Sequence, residues 1–222
     1  MTDRIAAIGI LGAGKLGTVL ARIAVAAGYE VRISGSGDPK YIALSVEVSA
    51  RGAVATTAVA ALDGADLVIL AIPLHRVDSL PREALAGHIV IDATNYWAAV
   101  DGALPDFTTA PGGTSSVVAS KFPDARIVKA LGHVAYQELD AHARDAQRIA
   151  LGIASDDTDA ADAVAGFVDR LGFEPVRIGA LAAGIALQAG SRAFGAALRG
   201  ETLLRIVNDV LGNGTTDMEA VK

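Results

Sequence analysis

The chain has 222 residues, a 52% hydrophobic fraction and no cysteine. It is long enough to bury the core of one α/β domain with a small appendage, and the missing thiols exclude disulfides, thiolate zinc sites and a cysteine nucleophile. Nineteen Lys and Arg stand against 25 Asp and Glu, for a formal net charge of −6, so electrostatics gives no reason to expect nucleic acid or an acidic membrane surface as a partner. The first apolar run is preceded by Asp3 and interrupted by Lys15, unlike a secretory signal, and no stretch approaches the roughly 20 apolar residues of a membrane helix. A soluble, cytoplasmic protein is the expectation.

The first element is the apolar run Ala6–Leu11, which ends in Gly12-Ala13-Gly14-Lys15-Leu16-Gly17. This reads as a dinucleotide site. Gly12 permits a tight turn out of the strand, Gly14 removes the Cβ that would block a pyrophosphate, and Gly17 lets the following helix press against the sheet. The helix N-terminus offers unpaired amides and a partial positive charge to the phosphates, and Lys15 adds a full charge. Residues 18–27 alternate as a buried helix, Gly28 serves as its stop, and Glu30–Ile33 reads as the second strand.

Ala53–Thr56 reads as a third strand and Thr57–Leu62 as a short helix. Asp66–Pro73 is continuously apolar, as a central strand should be, and Val77–Ala86 is a helix interrupted by Pro81. His88–Ala93 is the next strand. Thr94–Gly113 is polar and contains Gly and Pro, the pattern of a functional loop. Thr114 or Ser115 can cap the helix that follows. Arg126–Leu131, Arg148–Ala154 and Pro175–Ile178 read as strands, with an amphipathic helix at Asp159–Leu171 ending at Gly172 and helical sequence from Ala180 onward. The alternation implies an α/β, Rossmann-type doubly wound parallel sheet with a small, mainly helical C-terminal part. The expected division is residues 1–135 for the dinucleotide-binding domain and 136–222 for a smaller part that extends the sheet and closes the cleft.

Ligands of open parallel sheets bind beyond the carboxyl ends of the strands. The second strand ends in Ser34-Gly35-Ser36-Gly37-Asp38-Pro39-Lys40, with no acidic residue where the strand stops to hold a ribose 2′-hydroxyl. Ser34, Ser36 and Lys40 suit a 2′-phosphate, and the alternative is an ordinary polar turn. At Ile72-Pro73-Leu74-His75-Arg76 the prolyl backbone can lie along a cofactor and Arg76 can approach its phosphates, or the segment is a solvated loop. His133, beside Gly132 just after a strand, is placed to act as a general acid or base. Asn95, Tyr96 and Trp97 end the preceding strand, where the single tryptophan either walls a ring-binding pocket or packs in the core. The four histidines lack metal-ligand spacing, so no metal is expected.

Together with the glycine motif, the segments Ala71-Ile72-Pro73, Asp92-Ala93-Thr94-Asn95-Tyr96, Val128-Lys129-Ala130-Leu131, Asp169 to Val176 and Gly179-Ala180-Leu181 resemble the NADPH-dependent reductases of coenzyme F420, the F420H2:NADP oxidoreductases, from about residue 5 to about residue 195. The resemblance implies a Rossmann domain with a small C-terminal part, the two forming a cleft in which a deazaflavin lies against the nicotinamide, with NADP as cofactor and coenzyme F420 as co-substrate. It implies that Ala13, Gly14, Lys15 and Leu16 hold the pyrophosphate, that Ser36 and Lys40 face the 2′-phosphate, that Ile72, Pro73 and Arg76 line the nicotinamide half, and that Gly132, His133 and Val134 border the deazaflavin. Val134 would set ring separation, and His133 would hydrogen-bond the polar edge of the deazaflavin. Two departures stand out: Gly37 replaces an arginine common in relatives, and Ala135 replaces a proline.

The implied reaction is hydride transfer between NADP(H) and F420 or a related flavin, which needs proximity and orientation more than an acid or base. The alternatives are a reductase of a small keto acid or imine, for which a catalytic lysine is hard to place, and an NADP-binding sensor without turnover. A homodimer is expected from the apolar C-terminal residues Ile185, Leu187, Phe194, Leu198, Leu203 and Leu204.

Overall fold

The structure, a computed structural model, describes residues 5–216. The first half alternates β1 (Ala7–Leu11), α1 (Lys15–Ala26), β2 (Glu30–Ser34), α2 (Lys40–Ser49), β3 (Val54–Thr56), α3 (Ala58–Leu62), β4 (Leu67–Leu70) and β5 (Ile89–Asp92). The second half adds α4 (Ala98–Asp101), α5 (Pro105–Thr108), α6 (Gly113–Lys121), β6 (Arg126–Lys129), α7 (Tyr136–His142), β7 (Ala150–Ala154), α8 (Thr158–Arg170), β8 (Glu174–Gly179) and α9 (Gly200–Thr216).

These strands form one eight-stranded sheet in the order β3-β2-β1-β4-β5-β6-β7-β8. The first six are parallel, in the 3-2-1-4-5-6 order of a doubly wound dinucleotide fold. The reversal between β1 and β4 opens a crevice above their carboxyl ends. All four residues of β4 are buried, as expected of a strand covered by helices on both faces. One apolar cluster lies under α1 and α8, and a second under α3, α6 and the turns after β4.

Three features differ from the sequence reading. β7 runs antiparallel to β6, joined to it through Lys129 opposite Ala154, and β8 is parallel to β7. Apolar periodicity marks a strand without fixing its direction. The expected helix over Val77–Ala86 is two 3-10 turns, Leu74–Ser79 and Glu83–Leu85, because Pro81 lacks an amide and holds Leu80 extended, at ψ 148°. α2 was not anticipated: Tyr41, Leu44 and Val48 on it are more than three-quarters exposed, and Val46 alone on it is buried, so its apolar residues do not trace a continuous core face.

Leu187 and Leu203, two of the residues behind the expected homodimer, are fully buried in a third apolar cluster where α9 and the 3-10 turn Leu181–Leu187 cover β7 and β8. Leu198 packs against the same cluster. Of the others, Ile185 and Leu204 are among the exposed large apolar residues and Phe194 meets Trp97.

Candidate active site

The glycine motif adopts the geometry its spacing implies. Gly12 has φ +123°, and its amide donates to the Ser34 carbonyl at 2.8 Å, tying the turn to the end of β2. A Cβ at Gly17 would drive into the Gly12 carbonyl oxygen, whereas a Cβ at Gly14 would meet nothing within 4 Å. The backbone at Gly14 is thus open to a ligand. α1 begins there without a side-chain cap and without an acidic residue in its first turn, which leaves its N-terminal amides and dipole available to an anion. An absent dinucleotide fits these residues: the free space at Gly14 is where its pyrophosphate belongs.

Two adjoining hollows extend from this point. The first, of about 550 Å³, is lined by Gly12, Ala13 and Gly14, by Ser34 and Ser36 at the end of β2, and by Ile72, Pro73 and Arg76 after β4. The second, of about 510 Å³, shares Gly14, Ile72 and Pro73 and adds Lys15, Leu16, Asn95, Trp97, Gly132, Val134, Tyr136 and Phe194. Because the ribose of a bound dinucleotide lies against the end of β2, the first hollow would take the adenosine of such a ligand (the adenosine end) and the second its ring (the ring end).

Trp97 is half exposed and meets Phe194 edge-on, ring centroids 5.4 Å apart, so it walls the ring end. Lys15 Nζ lies 5.7 Å from the centroid of the Tyr136 ring.

Three assignments require correction. His133 is 1% exposed and does not line either hollow, unlike its neighbours Gly132 and Val134. Burial, reinforced by the Lys129 charge, pushes its imidazole down to about 4, so it is a neutral core group that cannot reach a ligand. Arg76 lines the first hollow with Ser34 and Ser36 and, unlike Ile72 and Pro73, does not line the second. Lys40 lines neither hollow. Its Nζ is 2.9 Å from Asp38 Oδ2 and 5.1 Å from the Tyr41 ring centroid.

Beneath the ring end lies a polar network that the sequence did not reveal. Asp92 Oδ1 accepts from the Thr94 amide at 2.9 Å and the Thr94 hydroxyl at 2.6 Å, and Oδ2 accepts from Ser115 Oγ at 2.5 Å. Ser115 serves this contact instead of capping α6, which has no side-chain cap. Lys129 Nζ donates to the Thr94 carbonyl at 2.5 Å and stands 3.8 Å from Asp92 Oδ2. Both side chains are buried; burial lowers the Lys129 pKa while Asp92 opposes the shift. Asn95 Nδ2 donates to the Gly132 carbonyl at 2.7 Å, joining the ends of β5 and β6. Leu131, between them, has φ +65°, a conformation that costs a non-glycine residue about 1–3 kcal/mol.

A second unforeseen residue, Asp101, latches the loop after β5 to the turn after β4. Its Oδ1 accepts from the His75 amide at 3.0 Å and lies 2.9 Å from His75 Nδ1, and its Oδ2 accepts from the Trp97 amide at 2.8 Å. Burial raises the Asp101 pKa, but these contacts outweigh it and hold the carboxyl below its ordinary value. Among the described residues no group of three or more His, Cys, Asp and Glu is placed to hold a metal ion, and no helix is long and apolar enough to cross a membrane.

Residues 7–96 match the family of coenzyme F420-dependent NADP oxidoreductases. The matched stretch carries the glycine motif and all five strands from β1 to β5, so the chain contains the nucleotide-binding part of an NAD(P)-dependent oxidoreductase. No curated protein matches the chain. Among solved structures, a hypothetical protein from Sinorhizobium meliloti is 28% identical with a TM-score of 0.77, over 88% of this chain and 96% of that one. A protein from Arthrobacter sp. provisionally named an F420-dependent NADP-reductase is 21% identical with a TM-score of 0.69, over 93% and 95%. An imine reductase from Pseudomonas sp. is 17% identical with a TM-score of 0.56, over 98% of this chain and 65% of that one. The last two share the fold with this chain.

Proposed function

We propose that the protein transfers a hydride between NADP(H) and a second ring coenzyme, a deazaflavin such as F420 or a related flavin. The observation that carries this reading is the continuous cleft, which joins an uncapped, acid-free helix N-terminus beside Gly14 to an apolar, aromatic-walled ring end. When bound, the nicotinamide supplies the hydride. The chain's own residues bind and orient: the Gly14 backbone and α1 hold phosphate, Ile72 and Pro73 support the middle of the cofactor, and Val134 and Trp97 form apolar walls. With His133 buried, no histidine lines the ring end to act as an obligatory proton donor, which suits a reaction between two rings that exchange a hydride directly.

The test uses NADPH carrying deuterium at the transferred position. Label recovered on the reduced deazaflavin or flavin is the expected result. Label in solvent, or no turnover with either class of acceptor, overturns the proposal.

A further inference from the structure

We infer that Arg76, reaching into the cleft from the turn after β4, is the residue that selects a 2′-phosphate, in place of any cation on the loop after β2. The inference rests on the dinucleotide reading of the cleft. Position 37 is glycine, and a Cβ there would have only Tyr41 Cδ2 nearby, at 3.9 Å, so that position supplies no side chain where the ribose would lie. Lys40, the one cation on that loop, is neutralised by Asp38 and lines no part of the cleft. Arg76 lines the same hollow as Ser34 and Ser36, and no carboxylate does.

Among the described residues the Arg76 guanidinium has no hydrogen-bond or ion-pair partner, although its backbone is held on both sides. Its amide donates to the Pro73 carbonyl at 3.0 Å, its carbonyl accepts from Ser79 Oγ at 2.7 Å, and the adjacent His75 amide is fixed by buried Asp101. An unpaired guanidinium on a held backbone, lining the same acid-free hollow as two serines, is chemically matched to a phosphate dianion, which it can grip through two parallel hydrogen bonds.

The experiment is calorimetric titration of the intact protein with adenosine 2′,5′-bisphosphate and with 5′-AMP, which differ only in the 2′-phosphate and need no turnover. The wild type binds the bisphosphate more tightly. Arg76→Gln weakens the bisphosphate by about tenfold or more, the scale of one charge-assisted contact, and leaves 5′-AMP unchanged. Arg76→Lys keeps part of the preference, and Lys40→Gln keeps all of it. Because Arg76 is exposed and unpaired, its variants should retain the wild-type melting temperature. Equal loss of both ligands in Arg76→Gln would place Arg76 on the adenine or the 5′-phosphate and overturn the assignment, as would loss of preference in Lys40→Gln. If neither ligand binds the wild type, the dinucleotide reading itself falls.

Discussion

At the adenosine end of the cleft the binding groups are backbone amides and side chains on exposed turns, and the nearby charge pair of Asp38 and Lys40 stands in water. At the ring end the walls rest on Asp92, Lys129, Thr94 and Ser115, all buried. An exposed pair contributes little, because solvent screens it and both partners lose freedom. A buried pair is different: it need not stabilise the fold relative to an apolar core, but removing one member leaves an uncompensated charge. The adenosine end should therefore tolerate change in its side chains with effects confined to binding, whereas the ring end should register change as lost stability.

The largest effect is expected for Lys129→Met. It leaves Asp92 charged and without its buried cation, at a cost of about 3–5 kcal/mol. Urea denaturation measures it, and the double variant Asp92→Asn/Lys129→Met should recover part of the loss. A single variant as stable as the wild type would break the contrast between the two ends.

Next comes the pH dependence of His133, whose folded pKa of about 4 lies below the unfolded value of 6.5. As pH falls from 6.5 the unfolded chain takes up the proton first, so stability is intact above that range and declines toward pH 4. The integrated loss is about 3 kcal/mol. His133→Gln should remove this component, and the difference between the two denaturation curves across pH 4–7 is the readout. Parallel curves would mean that the imidazole is not held neutral by burial.

The smallest effect, and the one that sharpens the contrast, is at Gly14. Gly14→Ala places a methyl in open space, so folding should be unaffected while nucleotide affinity drops about tenfold, or about 1.4 kcal/mol. Gly17→Ala, by contrast, should lower the melting temperature, because its methyl meets the Gly12 backbone.

The parts of the molecule legible in the sequence are those fixed by local geometry. The glycine spacing identified the turn, the helix and the open backbone at Gly14, and the uninterrupted apolar run of β4 identified a central strand. The Asp92–Lys129 network and the Asp101 latch join residues far apart in the chain, so no local pattern announces them. His133 was placed correctly just after β6, but its side chain is buried while Gly132 and Val134 on either side line the cleft. Such an alternation reverses with a shift of one residue, and Leu131, two residues earlier, has a left-handed conformation that an apolar side chain does not advertise.

Trp97 is the only tryptophan in the chain, and it stands half exposed at the mouth of the ring end, against Phe194 from the C-terminal segment. The protein thus contains a single indole fluorophore, at the place where two coenzymes would meet. Any ring entering beside it changes the indole's solvent exposure and offers an energy acceptor, so emission from the unlabelled, unmodified chain reports arrival and departure of a ring in real time, without a background from tryptophans elsewhere in the fold.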